Sequence, residues 1–232
     1  MRRRGGALCT CGHEPAPGPV SSQNHEEADL VRHTAAECCA CLEESLGGSG
    51  VAGWSSPIPE MEWTVTEAVS HTTFALLWYA VDLSAGPSEL SVLNMTAKPG
   101  ATPADLVRAV RSYSRVLESV IEAAPPDARG WHPAGIADAS GFAAMGCDEM
   151  LVHTYDAARG LGVRFDPTPE LAERTLRRLF PWAPSDVEPW DGLKWANGRV
   201  ELPGLKQLTR WRWHCAPLSE WDGKRGSPFA SG

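Results

Sequence analysis

The chain has 232 residues, 43% hydrophobic and 22% charged, a composition that excludes a collagenous, fibrous or wholly disordered protein. It can bury a sizeable core, but two full catalytic domains would not fit. The formal net charge of -8, with a pI near 5.4, lacks the basic footprint that phosphate binding needs and argues against nucleic acid.

No apolar run approaches the roughly 18 residues that cross a bilayer. The basic start, Met1-Arg2-Arg3-Arg4, is not followed by the apolar stretch of a signal peptide. A cytoplasmic protein with no membrane partner is expected. Seven cysteines, an odd number in a chain of this size, are read as reduced thiols.

Residues 1–23, rich in Gly, Pro and Ser, read as a tail. From His25 to Leu46, Ala28, Val31, Ala35, Cys38, Cys39 and Leu42 follow the spacing of an amphipathic helix, closed by Gly47-Gly48-Ser49-Gly50. Thr64-Val65-Thr66-Glu67 has the form of a capping box and starts a second helix running to about Ser84. Thr102-Pro103-Ala104-Asp105 starts a third, which stops before Pro125-Pro126. A fourth covers about Ile136 to Arg159 and ends at Gly160 or Gly162. A short fifth, Pro169 to Phe180, follows an Asp166 or Thr168 cap.

Beyond Pro181 the pattern changes. Leu193–Ala196 and Arg199–Leu202 flank Asn197-Gly198, a strong hairpin signal, and Leu208–Cys215 could add a strand. Six of the ten tryptophans lie here (Trp182, Trp190, Trp195, Trp211, Trp213, Trp221), a density that makes sense only if the rings are packed. The expected architecture is mainly α: a tail over 1–23, a four-helix bundle with a short extra helix over 24–181, and a small Trp-rich β-hairpin extension over 182–232 packed on the bundle.

Glu149 and His153 lie four apart on the fourth helix, so both side chains leave one face a turn apart. That is chelating geometry, although the same spacing also serves an exposed polar pair. Catalytic zinc usually takes three protein ligands and keeps one position open. His71, two turns into a capped helix among Val69, Phe74 and Ala75, is the best third donor, and equally has the setting of a satisfied buried histidine. Arg108, Arg111 and Arg115 could meet an anionic substrate, or line a solvated helix face. Asp156 and Glu67 could support the ligands from behind, or serve a surface or capping role.

Among the cysteines, Cys9-Thr10-Cys11-Gly12-His13 has the form of a metal hook but lies in the tail with no second pair nearby. Cys38, Cys39 and Cys41 read as small packing residues, and Cys147 points away from the Glu149 face.

Two segments carry a resemblance. Trp63-Thr64-Val65-Thr66-Glu67-Ala68-Val69-Ser70-His71 and Glu149-Met150-Leu151-Val152-His153-Thr154-Tyr155-Asp156 resemble the paired signatures of the DinB-like family that contains mycothiol-dependent maleylpyruvate isomerases and related thiol S-transferases. The resemblance spans about residues 25 to 180. It implies a four-helix bundle with a long crossover and a divalent metal, zinc foremost, held by His71, Glu149 and His153. Two neutral imidazoles and one carboxylate leave such a site at +1, which an incoming thiolate neutralises. The resemblance further implies mycothiol as thiol cosubstrate and a small-molecule electrophile as partner, in detoxification or secondary metabolism; a homodimer is one assembly open to it. The family's isomerase carries a sizeable domain after the bundle, where this sequence has only residues 182–232, so a thiol S-transferase is expected ahead of a maleylpyruvate-type isomerase. A bundle that binds metal or a small molecule without turnover is the third reading.

Overall fold

The computed structural model describes residues 22–48, 53–90 and 95–225. The expected tail, with its Cys9–His13 segment, lies outside the described residues up to residue 21. Four long helices form the body: α1 (Ser22–Gly48), α2 (Val65–Ala85), α3 (Pro103–Ala123) and α4 (Ala139–Leu161), followed by the short α5 (Pro169–Leu179) and α6 (Pro189–Ala196).

The helix starts follow from side-chain chemistry. Thr64 accepts from the Glu67 amide while the Glu67 carboxylate takes the Thr64 amide, and Thr102 and Asp105 repeat the arrangement ahead of α3. Each such cap is worth about 1 kcal/mol. Asp138 caps α4 by accepting from the Gly141 amide, and Gly162, at φ 67°, ends it in the left-handed conformation. Thr168 precedes α5 without a side-chain cap bond of its own; its amide donates instead to Glu37 of α1, at 2.8 Å.

α1 packs on α3 and α4, and α2 packs on the same two, so α1 and α2 occupy opposite corners. Asn24 donates to the Ala124 carbonyl and Arg111 pairs with Glu43, which makes α1 and α3 antiparallel. Thr34 meets Cys147, and Cys38 meets Thr154, so α1 and α4 run the same way. Val65 of α2 lies against Gly160, and Thr72 reaches the Glu149 carbonyl, so α2 opposes α4. The bundle therefore runs up, down, down, up, and the link from α1 to α2 crosses a diagonal. α4 is buried over almost its whole length. Among the described residues no helix is long and apolar enough to cross a membrane.

The extension differs from expectation. Leu193–Ala196 is not the first arm of a hairpin but the end of α6, and Leu208–Cys215 has no strand partner among the described residues. Pro189 at the first helical position and the Glu188 carboxylate accepting from the Asp191 amide start a helix, and Trp190, Leu193 and Ala196 supply its buried stripe. Asn197-Gly198 then acts as a helix stop, with Gly198 at φ 68° and no room for a Cβ beside the Leu208 carbonyl. The same dipeptide chemistry serves hairpins and helix ends.

α5 packs on α4 and α6 packs on α5, and the chain then returns across the N-terminal end of α4. Arg178 holds that return: its guanidinium bonds Ser140 (2.8 Å), Asp138 (2.6 Å) and the carbonyls of His214 (3.0 Å) and Cys215 (3.1 Å). Gly141 leaves the space, since a Cβ there would sit 2.1 Å from the Cys215 carbonyl oxygen. Arg178→Met removes the counter-charge of Asp138 and the donors to two carbonyls, and is expected to cost about 3 kcal/mol. A urea titration followed by tryptophan emission should show the lower midpoint.

Candidate metal centre

α2 and α4 lie side by side and antiparallel, so a histidine near the start of one meets the later turns of the other. His71 comes from α2, and Glu149 and His153 come from successive turns of α4; one donor atom of each lies within 4.8 Å of the other two. Glu149 Oε2 is 3.2 Å from His71 Nε2 and 3.2 Å from His153 Nε2. It is buried, yet it has no hydrogen-bond partner. The other carboxylate oxygen, Oε1, accepts from the Tyr79 hydroxyl at 3.0 Å. The carboxylate is thus anchored on one side and bare on the other, where two imidazole nitrogens converge.

A buried polar atom without a partner forfeits its hydration for nothing, and such atoms call for an explanation. A divalent cation would supply it, because two imidazoles and a carboxylate oxygen are a donor set suited to zinc. The residues present fit the ion.

The surroundings orient these donors. His153 Nδ1 donates to Asp156 Oδ2 at 3.1 Å, which leaves Nε2 free to face the cluster. The Trp63 ring lies 4.9 Å from the His71 ring and 5.5 Å from that of His153, and the two imidazoles meet edge to face at 5.0 Å. His71 is the more open of the two; His153 is nearly enclosed. Burial opposes ionisation of Glu149, but the two imidazoles outweigh it and hold the carboxyl far below its usual range. Burial likewise opposes charge on His153, and the Asp156 and Glu149 carboxylates overcome it, raising the ring to about 9. For Asp156, burial again works against the charge, and His153 and Arg199 reverse it, lowering the pKa.

The remaining sequence candidates separate. Asp156, fully buried, holds His153 from behind. Glu67 is exposed and spends its carboxylate on the Thr64 cap, so it does not support the centre. The structure does not bring the three arginines to the cluster either. Arg111 pairs with Glu43 of α1, Arg108 pairs with Asp105, and Arg115 is exposed in a groove between α1 and α3. Arg111 and Arg115 lie on the α1 side of α3, and Arg108 lines a separate groove with Ser70, Thr73 and Phe74 of α2.

Sequence reasoning missed Tyr79, although it lies eight residues, two turns, beyond His71 and so on the same face. It also missed the neighbours supplied by other segments. Asn197 and Trp213 donate to the buried Asp148 at 2.8 and 2.9 Å; burial and the adjacent Glu149 push Asp148 up to about 7 despite them. His132 accepts the Ala134 amide at Nδ1, which places its proton on Nε2, and its ring meets those of Tyr79 and Trp213 at 5.5 Å. Burial lowers His132 to about 4, so it is neutral at ordinary pH. No local pattern marks the two bonds to Asp148, which join residues 49 and 65 positions apart.

Among the described residues the thiols stand outside this donor set. Cys38, Cys39, Cys147 and Cys215 are buried, and burial raises each of them, Cys39 and Cys215 to about 11 and Cys147 to about 12. These four cysteines are expected to resist iodoacetamide at pH 8 in the native chain and to react after unfolding, as peptide mapping would show. Glu149→Gln and His71→Ala should each reduce bound zinc from about one equivalent to a small fraction, measured by plasma emission after gel filtration, because each removes one of three protein donors.

No match to the chain was found among curated proteins or among solved structures. The model of the mycothiol maleylpyruvate isomerase N-terminal domain matches residues 35–158, a stretch that contains both signature segments and all three converging donors. With more than half of its length matched, the chain belongs to the family of the mycothiol maleylpyruvate isomerase N-terminal domain, a DinB-like helical bundle.

Proposed function

We propose that the chain is a metal-dependent thiol S-transferase that uses mycothiol against an electrophilic small molecule, in detoxification or secondary metabolism. One observation carries the reading: two imidazole nitrogens, one from each of two helices, converge on a buried carboxylate oxygen that accepts no hydrogen bond. A divalent cation held by His71, Glu149 and His153 would acidify a bound thiol, whose free pKa is about 8.5, and supply the thiolate at neutral pH.

The protein's residues serve that chemistry in separate ways. Tyr79 fixes Glu149 so that only Oε2 faces inward, and Asp156 fixes the His153 tautomer. Trp63 shields one side of both imidazoles. The four buried cysteines are held protonated, which supports a nucleophile delivered from outside, as the family name suggests. In transfer, the thiol loses its proton, the sulfur pair forms a C–S bond, and the leaving group departs with the electrons of the broken bond.

The family's own description favours a second reading, a maleylpyruvate-type isomerase. There the same sulfur adds to a conjugated carbon, the bond rotates as a single bond, and the thiol leaves again. The two differ in whether the sulfur stays.

The zinc-loaded chain, incubated with mycothiol and a haloalkyl electrophile such as monobromobimane, is expected to form S-conjugate faster than mycothiol alone, and Glu149→Gln to return the rate to background. Product analysis by mass spectrometry checks it. Conversion of maleylpyruvate with mycothiol recovered unchanged would select the isomerase. Absence of both activities in a zinc-replete protein would leave a binding bundle.

A further inference from the structure

The residues beyond α5 fall outside the stretch matched by the family model, yet they reach the candidate centre. Arg199 follows the Asn197-Gly198 stop at the end of α6. Its guanidinium grips Asp156 with two nitrogens, Nη2 to Oδ2 at 2.7 Å and Nε to Oδ1 at 3.1 Å, while Nη1 donates to the Asn197 carbonyl at 2.8 Å. Asp156 Oδ2 also takes the His153 Nδ1 proton. Arginine, carboxylate and imidazole therefore form one line that ends at the Nε2 facing Glu149.

Asp156 has no exposed surface, so its charge has no water to lean on. A buried carboxylate persists when counter-charges and hydrogen bonds replace hydration, and among the described residues the fork of Arg199 supplies the permanent positive charge here. A paired fork also fixes the plane of the carboxylate, which a point charge does not. The plane of Asp156 in turn fixes the His153 ring.

Docking alone does not account for Arg199. The C-terminal segment is already fastened by Arg178 at Asp138, Ser140 and two carbonyls, and by Asn197 and Trp213 at Asp148. Of these ties, only that of Arg199 ends on a carboxylate that holds one of the converging imidazoles.

We propose that Arg199 is a positioning residue of the metal centre, acting through Asp156 to hold the His153 ring in its ligating orientation, so that the segment after α6 is a working part of the site and not only its cover. The proposal rests on the metal reading above. Its test uses the full chain, stripped with chelator, with zinc affinity read by competition against a chromophoric chelator and geometry read from the visible bands of the cobalt(II) form. Arg199→Met is expected to weaken zinc by about 10- to 100-fold, the usual effect of removing a partner behind a ligand, and to shift the cobalt bands. Arg199→Lys, which keeps the charge and loses the fork, should recover part of the affinity. Gln207→Met, which removes the 2.7 Å hydrogen bond from the Gln207 side chain to the Gly198 carbonyl in the same segment, should leave zinc affinity and cobalt bands unchanged within error.

Circular dichroism of the metal-free chains checks that each is folded; if Arg199→Met is not, Arg199→Lys decides, with weaker zinc and shifted bands expected. Unaltered affinity and bands in the arginine variants would overturn the proposal, as would an equal loss in Gln207→Met. Failure of the unaltered chain to take up zinc or cobalt would instead remove the metal reading itself.

Discussion

Glu149 sits inside the protein with one oxygen bonded to Tyr79 and the other, which accepts no well-aligned hydrogen bond, facing two imidazole nitrogens 3.2 Å away. Moving a carboxylate out of water costs several kcal/mol even after the protein relaxes, and a single neutral hydrogen bond returns about 1 kcal/mol. Such a group calls for compensating positive charge at that oxygen, which the His153 ring supplies in the ion-free chain and a cation shared by the three donors would supply in its place. The rest of the site answers to this constraint: Asp156 behind His153, Arg199 behind Asp156, and Trp63 over both rings.

The bundle provides that arrangement through topology and close approach. Because α1 and α2 stand on opposite corners, α2 runs directly beside α4, antiparallel, and an early turn of one meets a late turn of the other. The capping boxes at Thr64 and Thr102 fix where α2 and α3 begin. Gly146 lets Leu117 and Leu76 close on α4, where a Cβ would lie 2.6 Å from Leu117. Stability and geometry come from the same contacts, so two of the three donors are held by the most deeply buried of the described helices.

Much of this was legible in the sequence where the cause is local. The capping boxes, the glycine stop at Gly162 and the four-residue spacing of Glu149 and His153 depend on neighbours within a turn or two, and the observed helices follow them. Tyr79 was equally within reach, by helical spacing from His71. Where the cause is distant, local signals misled. Asn197-Gly198 suits a hairpin or a helix stop, and Pro189, Glu188 and the burial of Trp190 and Leu193 decided for the helix. Arg108, Arg111 and Arg115 carry no mark that shows which side of α3 meets the site, and Glu67 could not serve both its cap and a ligand. Arg199, 43 residues from Asp156, has no local signal at all.

Family membership, resting on residues 35–158, ties the chain to mycothiol-related chemistry, and the converging donors give that tie a physical site. The most direct measurement is X-ray absorption at the zinc edge of the zinc-loaded full chain with no thiol added. The account predicts nitrogen and oxygen scatterers at about 2.0–2.2 Å with the outer shells of coordinated imidazole. Sulfur scatterers at about 2.3 Å, which would place the ion on the chain's own cysteines, or a chain that takes up no zinc, would contradict it.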